Sequence, residues 1–191
     1  MREIRTIAVI SAGPAGRSIA QLAALGGFRT ILEDILPTSL RRAEGEIRGS
    51  LESAVNSGLV AHAESEAAMA RLEFATSLEE AAREADMVIE AVPDEFESKE
   101  EIFRLLDRIC RPGTLLVSSS LSLRVSDIAA ITERPTDIVG MRFVRADSGN
   151  GSEIEVIAGA CTAEESSNSA IAVARHMATG AVLISEAAAA Q

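Results

Sequence analysis

The turn that follows the first apolar segment has the spacing of a dinucleotide phosphate-binding loop. It reads Ser11-Ala12-Gly13-Pro14-Ala15-Gly16 and matches the second and third glycines of the G-x-G-x-x-G pattern, with Ser11 at the position of the first. Gly13 would let the backbone approach a pyrophosphate, and Gly16 would let the following helix pack closely on the strand. The N-terminus of that helix would offer free N–H groups to an anion. We therefore predict dinucleotide binding, and Ser11 could complete the turn if its φ stays negative; the alternative is a structural turn without a ligand.

A carboxylate at the expected distance supports the dinucleotide interpretation. Asp34 lies 18 residues beyond Gly16, at the end of the second predicted strand. A carboxylate at that place accepts hydrogen bonds from the ribose hydroxyls of adenosine and repels a 2′-phosphate. The sequence therefore favours NAD over NADP as the cofactor.

Short β-branched segments alternate with helical patterns along the whole chain. Apolar strands separated by helices are typical of a parallel sheet that is buried on both faces. The predicted strands cover 4–10, 30–32, 72–75, 87–92, 114–118, 137–143, 153–157 and 181–185, and the helical patterns cover 17–25, 37–57, 78–85, 95–110 and 163–177. We expect an α/β fold with a doubly wound, mostly parallel sheet of the Rossmann type. One dinucleotide-binding domain would cover 1–186, followed by a short Ala-rich tail over 187–191.

The composition argues against several other classes of protein. The 191 residues carry 18 Lys and Arg against 29 Asp and Glu, a net charge of −11, and no basic run that would hold nucleic acid. Cys110 and Cys161 occur without a CxxC motif or a Cys/His cluster, so we expect core thiols rather than a disulfide or a zinc site. No run of about 18 apolar residues occurs. We expect a cytoplasmic protein with no membrane span, no nucleic acid partner and no metal.

Five segments of the chain have an order and spacing that point to one family. They read I-A-V-I-S-A-G-P-A-G-R-S-I-A, I-L-E-D-I, D-M-V-I-E-A-V-P-D-E-F-E-S-K-E-E-I-F, L-L-V-S-S-S-L-S-L and I-V-G-M-R-F. Together they resemble the NAD-binding, N-terminal domain of the 3-hydroxyacyl-CoA dehydrogenases. The resemblance implies NAD as the cofactor, an oxidoreductase of fatty acid metabolism, and a position near the cofactor for Asp94 and Lys99. The candidate cofactor-binding residues are Ser11, Gly13, Pro14, Ala15, Gly16, Asp34, Ala91, Val92, Asp94 and Lys99.

The family's catalytic positions carry other residue types in this chain. In the family, a histidine in a G-M-H-F-F-N-P-like segment acts as the general base; here the segment has Arg142 at the histidine and Arg145 at the asparagine. A guanidinium has a pKa above about 12 and does not accept a proton near neutral pH. The family's substrate-contacting serine falls on Leu121. Glu155 corresponds to the glutamate that orients the histidine, after a one-residue insertion, and it has no imidazole to orient.

Several other polar residues have both a functional and a structural interpretation. Lys99 is the single lysine of the chain and either lies near the cofactor or sits on a solvated helix face. Glu90 lies inside a predicted strand and needs a hydrogen-bonding partner if it is buried. Four serines at the end of the fifth strand lack a neighbouring base, and we interpret them as a loop. They are Ser118, Ser119, Ser120 and Ser122.

Three arginines are predicted to lie near the cleft that holds the active site in the family. We expect Arg124, Arg142 and Arg145 to follow strands five and six, where they would bind an anionic or acyl-CoA ligand. The alternative is that these arginines pair with the excess of Asp and Glu. His62, in a polar connection, and His176, at the end of the last helix, are interpreted as ordinary surface or packed histidines.

Three functions remain open on this sequence. The first is a stand-alone domain that binds NAD(H) without the family's catalytic histidine. The second is an active NAD-dependent oxidoreductase for a hydroxyacyl-CoA or another anionic hydroxy substrate, and the third is a non-catalytic structural or regulatory subunit. The family's helical second domain has no counterpart in this sequence, so we expect a homodimer or a separate helical partner to cover the face above the strand ends.

Overall fold

The computed structural model describes residues 1–120, 122–145 and 152–189, and these contain one eight-stranded sheet. The strands are β1 Thr6–Ile10, β2 Arg29–Glu33, β3 Leu72–Ala75, β4 Met87–Glu90, β5 Leu115–Ser118, β6 Ile138–Arg145, β7 Ser152–Ala158 and β8 Gly180–Ser185. They lie in the order β3-β2-β1-β4-β5-β6-β7-β8. The β6 and β7 strands pair antiparallel, and the other neighbouring pairs are parallel. The expected doubly wound, mostly parallel sheet is confirmed.

Helices cover both faces of this sheet. They are α1 Pro14–Leu25, α2 Pro37–Asn56, α3 His62–Arg71, α4 Leu78–Ala82, α5 Phe96–Ile109, α6 Val125–Ala129, α7 Glu164–Met177 and α8 Glu186–Ala189, with a 3-10 turn at Pro135–Asp137. Ile7 and Val9 of β1 pack in the core that includes α1, α2, α3 and α7. Ala8 and Ile10 of the same strand pack in the core that includes α4, α5 and α6. Alternate side chains of one strand are therefore buried on opposite faces, as a central parallel strand requires.

The connection after α2 is helical, which the sequence analysis did not predict. His62 is the first residue of α3 rather than part of a polar connection. The Glu64 side chain accepts a hydrogen bond from the Ala61 N–H and closes the first turn. Ala68 is fully buried in the core that also contains α1. The apolar side chains of α3 are mostly alanines, so its periodic pattern is weak, and tertiary packing stabilises the helix.

The segment that begins at Glu186 is the short helix α8, which includes the first residues of the predicted tail. The Glu186 carboxylate accepts hydrogen bonds from the Ser126 N–H at 2.8 Å and the Ser126 Oγ at 2.6 Å. These bonds attach α8 to the start of α6. Within the described ranges, no helix is long and apolar enough to cross a membrane.

The order of the strands reverses at β1, and this places the candidate site. The β2 and β3 strands lie on one side of β1, and β4 to β8 lie on the other. In open α/β sheets, ligands bind in the crevice at the carboxyl ends of the strands, where the order reverses. The turn from Ser11 to Gly16 leaves β1 at that place.

Candidate functional site

The turn between β1 and α1 has the backbone conformation that a glycine usually supplies. Ser11 has a φ of 86°, and it is the one non-glycine residue with a positive φ among the described residues. The condition of a negative φ, under which a serine was expected to complete the turn, is therefore not met. The Ser11 N–H donates to the Glu33 carbonyl at 2.9 Å, and this bond holds the start of the turn against β2. A left-handed conformation costs a residue with a Cβ about 1 to 2 kcal/mol, so the fold keeps the geometry of the phosphate loop at some cost in stability.

The two glycines of the turn have different structural roles. A Cβ at Gly16 would lie 1.8 Å from the Ser11 carbonyl oxygen, so the absence of a side chain lets α1 pack against the end of β1. Gly13 is the N-cap of α1, and a Cβ there would meet Ser11 Oγ at 3.6 Å as its nearest neighbour. No side chain caps α1, so its first N–H groups retain their capacity for an external acceptor. This open, uncapped cradle fits a pyrophosphate.

Two cavities lie on either side of this turn, and Ser11 lines both. We call the larger one, of about 510 Å³, the β2 cavity. We call the other, of about 360 Å³, the β4 cavity. The β2 cavity is lined by Ile10, Ser11, Glu33, Asp34, Ile35, Thr76, Ser77, Leu78, Val92, Ile102 and Leu105. The β4 cavity is lined by Ser11, Gly13, Pro14, Ala15, Ala91, Val92, Pro93, Asp94, Lys99 and Ser119.

The structure brings most of the predicted cofactor residues together in the β4 cavity. Of the remaining two, Asp34 lies in the β2 cavity and Gly16 lies in the contact between α1 and β1. The Asp34 Oδ2 accepts from the Ala12 N–H at 3.0 Å, and its Oδ1 accepts from the Leu36 N–H at 3.0 Å. The backbone thus holds this carboxylate in a set orientation at the end of β2. Each oxygen has a further lone pair with which to accept a bond from a ribose hydroxyl.

Glu33 is a residue of the β2 cavity that the sequence analysis missed. It is the last residue of β2, and 7% of its surface is exposed. Burial, followed by the neighbouring charge of Asp34, raises the pKa of Glu33 to about 7, against the effect of the Ser11 backbone N–H. The adjacent acidic pair at a predicted strand end was the available signal. A buried carboxyl that titrates near neutral pH therefore lies in the half of the site next to Asp34.

Lys99 and Glu90 form a buried ion pair at the floor of the β4 cavity. The Lys99 Nζ lies 2.8 Å from both carboxylate oxygens of Glu90, and the lysine is 1% exposed. The interpretation of Lys99 as part of a solvated helix face was therefore wrong. Burial raises the pKa of Glu90, while Lys99, the Val92 N–H at 2.7 Å and Ser118 act in the opposite direction. Glu90 has the hydrogen-bonding partners that its burial requires.

The serines after β5 hold Asp94 and shape the cavity wall. The Ser120 Oγ donates to Asp94 Oδ1 at 2.5 Å, and the Ser122 Oγ donates to Asp94 Oδ2 at 2.8 Å. The Lys99 Nζ lies 3.7 Å from Asp94 Oδ1. Ser118 is the last residue of β5, which corrects its interpretation as part of a loop, whereas Ser119, Ser120 and Ser122 follow the strand. The contacts with Asp94 connect that loop to the start of α5.

Arg142 and Glu155 form an ion pair where the family's histidine and glutamate are expected. The two residues are cross-strand partners in the β6–β7 register, and the Arg142 Nη1 donates to Glu155 Oε2 at 2.8 Å. Arg142 lies inside β6 rather than after it, which corrects the predicted position. Glu155 thus has a partner of another kind, since it binds a guanidinium instead of an imidazole.

A third cavity, of about 150 Å³, contains the Arg142 and Arg124 side chains, and we call it the β6 cavity. The Arg124 Nη2 lies 3.3 Å from Glu186 Oε2. Both arginines are therefore paired with carboxylates, as the structural alternative predicted. Arg145 is the last residue of β6, and Leu121 lies outside the described residues.

The remaining candidates lie away from these cavities. His62 is exposed and lies 3.5 Å from Glu66, and His176 packs edge-on against Phe28. Cys110 is buried, and burial raises the pKa of its thiol to about 11. Cys161 is exposed, so the prediction of a core thiol was wrong at that position. No group of His, Cys, Asp and Glu that could hold a metal ion occurs in the described part of the chain.

Comparisons with known proteins place this arrangement in a family. A family model described as "3-hydroxyacyl-CoA dehydrogenase, NAD binding domain" matches residues 6–187. The chain is 35% identical over 184 residues to a probable 3-hydroxybutyryl-CoA dehydrogenase of Bacillus subtilis, covering 96% of this chain and 63% of that protein. It is 34% identical over 165 residues to a 3-hydroxyadipyl-CoA dehydrogenase of Escherichia coli, covering 86% of this chain and 34% of that protein.

Solved structures show the same relationship. The crystal structure of 3-hydroxybutyryl-CoA dehydrogenase from Escherichia coli matches with a TM-score of 0.89 and 29% identity, covering 97% of this chain and 39% of that one. The chain thus spans less than two thirds of the length of each of these relatives.

Proposed function

This chain belongs to the family of NAD-binding domains of the 3-hydroxyacyl-CoA dehydrogenases, and from that premise we propose that it binds NAD(H) without the family's usual proton transfer. The observation that carries the proposal is the pair of cavities joined at Ser11, with an uncapped helix N-terminus between them. A dinucleotide has two nucleoside halves joined by a pyrophosphate. The two cavities and the cradle have the same arrangement.

Different residues of the site would bind different parts of the cofactor. Gly13 and the N-terminus of α1 would hold the pyrophosphate, with Ser11, Pro14 and Ala15 forming the rest of the turn. Asp34 would accept hydrogen bonds from the adenosine ribose and repel a 2′-phosphate. Residues 91–94 and Lys99 would line the other half of the cofactor.

The family's proton acceptor is replaced by a group that holds its proton. NAD, when bound, supplies a hydride acceptor, and oxidation of an alcohol also requires a base for the hydroxyl proton. Arg142 stands at the base's position, and its guanidinium is bound to Glu155. Loss of a positioned base lowers a rate by a factor of about 10² to 10⁴. We therefore propose a binding function with little or no dehydrogenase activity of the family's ordinary kind.

A fluorescence titration tests the proposal directly. The chain contains no Trp and no Tyr, so NADH emission is observed with little interference from the protein. We expect saturable enhancement with NADH at micromolar concentrations and binding at least about tenfold weaker with NADPH, because Asp34 would repel a 2′-phosphate at the proposed ribose position.

The matched variants are Gly13→Val and Gly45→Val. A Cβ at Gly13 meets only Ser11 Oγ, at 3.6 Å, so the fold accommodates it, and a larger side chain there would occupy the proposed phosphate cradle. A Cβ at Gly45, in α2, meets no atom within 4 Å. We expect Gly13→Val to lose NADH binding and Gly45→Val to keep it. Absence of NADH binding by the unmodified chain up to millimolar concentrations would refute the proposal.

A second candidate is an oxidoreductase for an anionic hydroxy substrate, including a hydroxyacyl-CoA. The two guanidinium groups in the β6 cavity favour it, since guanidinium binds carboxylate or phosphate through paired hydrogen bonds. Its test is NADH formation from NAD and a panel of hydroxy acids, which the binding proposal expects to be absent. A third candidate, a non-catalytic subunit without a cofactor, is favoured by the strained Ser11 and predicts no binding of NADH.

The assembly and setting of the protein are also proposals. We propose that residues 1–186 act as one dinucleotide-binding unit and associate with a second copy or with a separate helical protein. Exposed Val182 and Leu183 on β8, the strand at one end of the sheet, favour association. The free thiols of Cys110 and Cys161 fit a reducing compartment such as the cytoplasm. Light scattering after size-exclusion chromatography separates a monomer of 20.1 kDa from a dimer.

A further inference from the structure

The position of each half of the cofactor follows from the order of the strands. The pyrophosphate cradle lies at the end of β1, and Asp34 marks the adenosine side at the end of β2. The β4 strand lies on the other side of β1, followed by β5 and β6. The nicotinamide half therefore extends over the ends of β4 and β5, into the β4 cavity.

The β6 cavity adjoins that half of the site. Ser119 lines the β4 cavity, while its two neighbours, Ser118 and Ser120, line the β6 cavity. In the β5–β6 register, Ser118 lies beside Gly140, and Arg142 follows two residues later on the same face of β6. The Arg142 side chain is thus a charged group that β6 contributes beside the nicotinamide half, and a quarter of that side chain is exposed.

Among the described residues, the charged groups that line the two cavities add to or offset the charge of Arg142. Arg124 and Glu186 line the β6 cavity as a pair, so their effects largely cancel. Arg142 lines the cavity, whereas its partner Glu155 does not, so the positive end of that pair is closer to the site. In the β4 cavity, Lys99 is paired with Glu90 and lies 3.7 Å from Asp94, whose negative charge opposes that of Arg142.

We propose that Arg142 is a selectivity residue that shifts cofactor preference toward the reduced form. This inference rests on the proposed NAD(H) binding. The nicotinamide ring carries a positive charge in NAD⁺ and none in NADH, so a fixed guanidinium beside it disfavours the oxidised cofactor alone. At the effective dielectric of a partly solvated site, a unit charge in the adjoining cavity changes such an affinity about three- to tenfold.

The ratio of the two dissociation constants isolates this effect. NADH binding is followed by its fluorescence, and NAD⁺ binding by displacement of bound NADH, so no turnover is needed. We expect Arg142→Gln to lower the ratio Kd(NAD⁺)/Kd(NADH) about three- to tenfold. We expect Glu155→Gln to raise it by about twofold or more, because it removes the charge that partly neutralises Arg142. A purely structural role for the pair predicts changes in the same direction for both variants.

Arg104→Gln and Glu100→Gln are the matched controls. These residues form an exposed pair on α5 with a 2.8 Å contact, and each variant changes the net charge as its counterpart does. We expect no change in the ratio for either control. Circular dichroism and the melting temperature establish that each variant is folded, and Glu155→Gln by itself still tests the sign of the effect if Arg142→Gln does not fold.

The outcomes separate the two proposals. If the unmodified chain binds both forms and Arg142→Gln leaves the ratio unchanged, or Glu155→Gln lowers it, the selectivity role is overturned and cofactor binding stands. If the unmodified chain binds neither form, both proposals are overturned. Opposite shifts in the two variants, with constant controls, support the selectivity role.

Discussion

Ser11 shows how one residue keeps a binding geometry at a cost in stability. Its φ of 86° lies in the left-handed region, where a residue with a side chain is disfavoured, and this conformation forms the proposed phosphate turn. Two contacts maintain it, since the Ser11 N–H binds the Glu33 carbonyl and the Ser11 carbonyl oxygen lies against Gly16. The surrounding structure, rather than the local preference of the residue, therefore determines the turn.

Replacement of Ser11 with glycine is predicted to stabilise the protein. Relief of the left-handed conformation contributes about 1 to 2 kcal/mol, and the greater freedom of glycine in the unfolded chain offsets about half of this. We expect the free energy of unfolding to rise by about 0.5 to 1 kcal/mol, measured by urea denaturation. Ser11→Ala keeps the Cβ and removes only the hydroxyl, so it should not raise the free energy of unfolding. An equal rise in Ser11→Ala would show that the hydroxyl, and not the left-handed conformation, destabilises the turn.

Glu33 makes stability depend on pH in the range between its two pKa values. The pKa of Glu33 is about 7 in the folded chain, compared with 4.5 for an unburied glutamate in the unfolded chain. Between these values the folded state binds more protons than the unfolded state, so stability falls as pH rises from about 4.5 to 7 and then stays level. Because the β2 cavity is open to water, we expect a loss of about 1 to 2 kcal/mol rather than the full amount for a dry site.

The variant Glu33→Gln removes this titration, so it tests directly whether Glu33 causes the pH dependence of stability. Denaturation at a series of pH values should show a flatter profile for Glu33→Gln between pH 5 and 8 than for the unmodified chain. Glu52→Gln, at an exposed position in α2, is the control and should leave the profile unchanged. A profile for Glu33→Gln that matches the unmodified chain would show that another group causes the pH dependence.

At the scale of the elements, the Lys99 and Glu90 pair joins α5 to β4 under the proposed nicotinamide site. Both side chains are nearly inaccessible to water, so each charge is stabilised mainly by the opposite charge of its partner. Ser118 of β5 binds the same carboxylate at 3.3 Å, which adds a second strand to the network. Three elements therefore meet at one buried carboxylate.

Removal of the lysine is predicted to be costly because it leaves Glu90 without a countercharge. We expect Lys99→Met to lower the free energy of unfolding by about 3 to 5 kcal/mol, and the double variant Glu90→Gln with Lys99→Met to recover part of that loss. Arg104→Met breaks an exposed pair on the same helix and should cost at most about 1 kcal/mol. Equal costs for the buried and exposed pairs would contradict the argument, and a double-mutant cycle measures the coupling.

At the scale of the whole molecule, the proposed cofactor contacts elements from both sides of β1. The cavities are lined from β1, β2, α1, α5 and the segments that follow β4 and β5. A ligand that binds only the folded chain stabilises all of these elements together.

Cofactor binding is therefore predicted to raise the melting temperature. At a free NADH concentration about 100 times the dissociation constant, the gain is about 2.7 kcal/mol, which corresponds to about 5 to 10 °C for a chain of this size. Gly13→Val should show no shift, and Gly45→Val should show the full shift, both in a thermal melt with and without NADH. A full shift in Gly13→Val would place the cofactor elsewhere on the molecule.

Much of the fold followed from local patterns. The first β-strand, the glycine turn and the second strand were predicted because apolar runs, glycines and Asp34 stand at characteristic distances. The third helix was missed because Ala68 is its one buried residue, which gives a weak apolar pattern, and the helix packs through this residue in the core that includes α1. The family was predicted from the order and spacing of five segments, which are more specific than the glycine turn alone. The membership is confirmed.

The sequence by itself determined the order of the strands along the chain, the family and NAD as the family's cofactor, since these depend on residue types and spacing along the chain. That the family's histidine position falls on Arg142 stays a prediction from the resemblance. Only the tertiary structure decided that Ser11 takes a positive φ and that Lys99 is buried against Glu90. It also decided that Arg142 faces Glu155 across two strands. The physical reason is that backbone strain and the partners of buried charges depend on contacts between residues distant in sequence, which spacing along the chain does not specify.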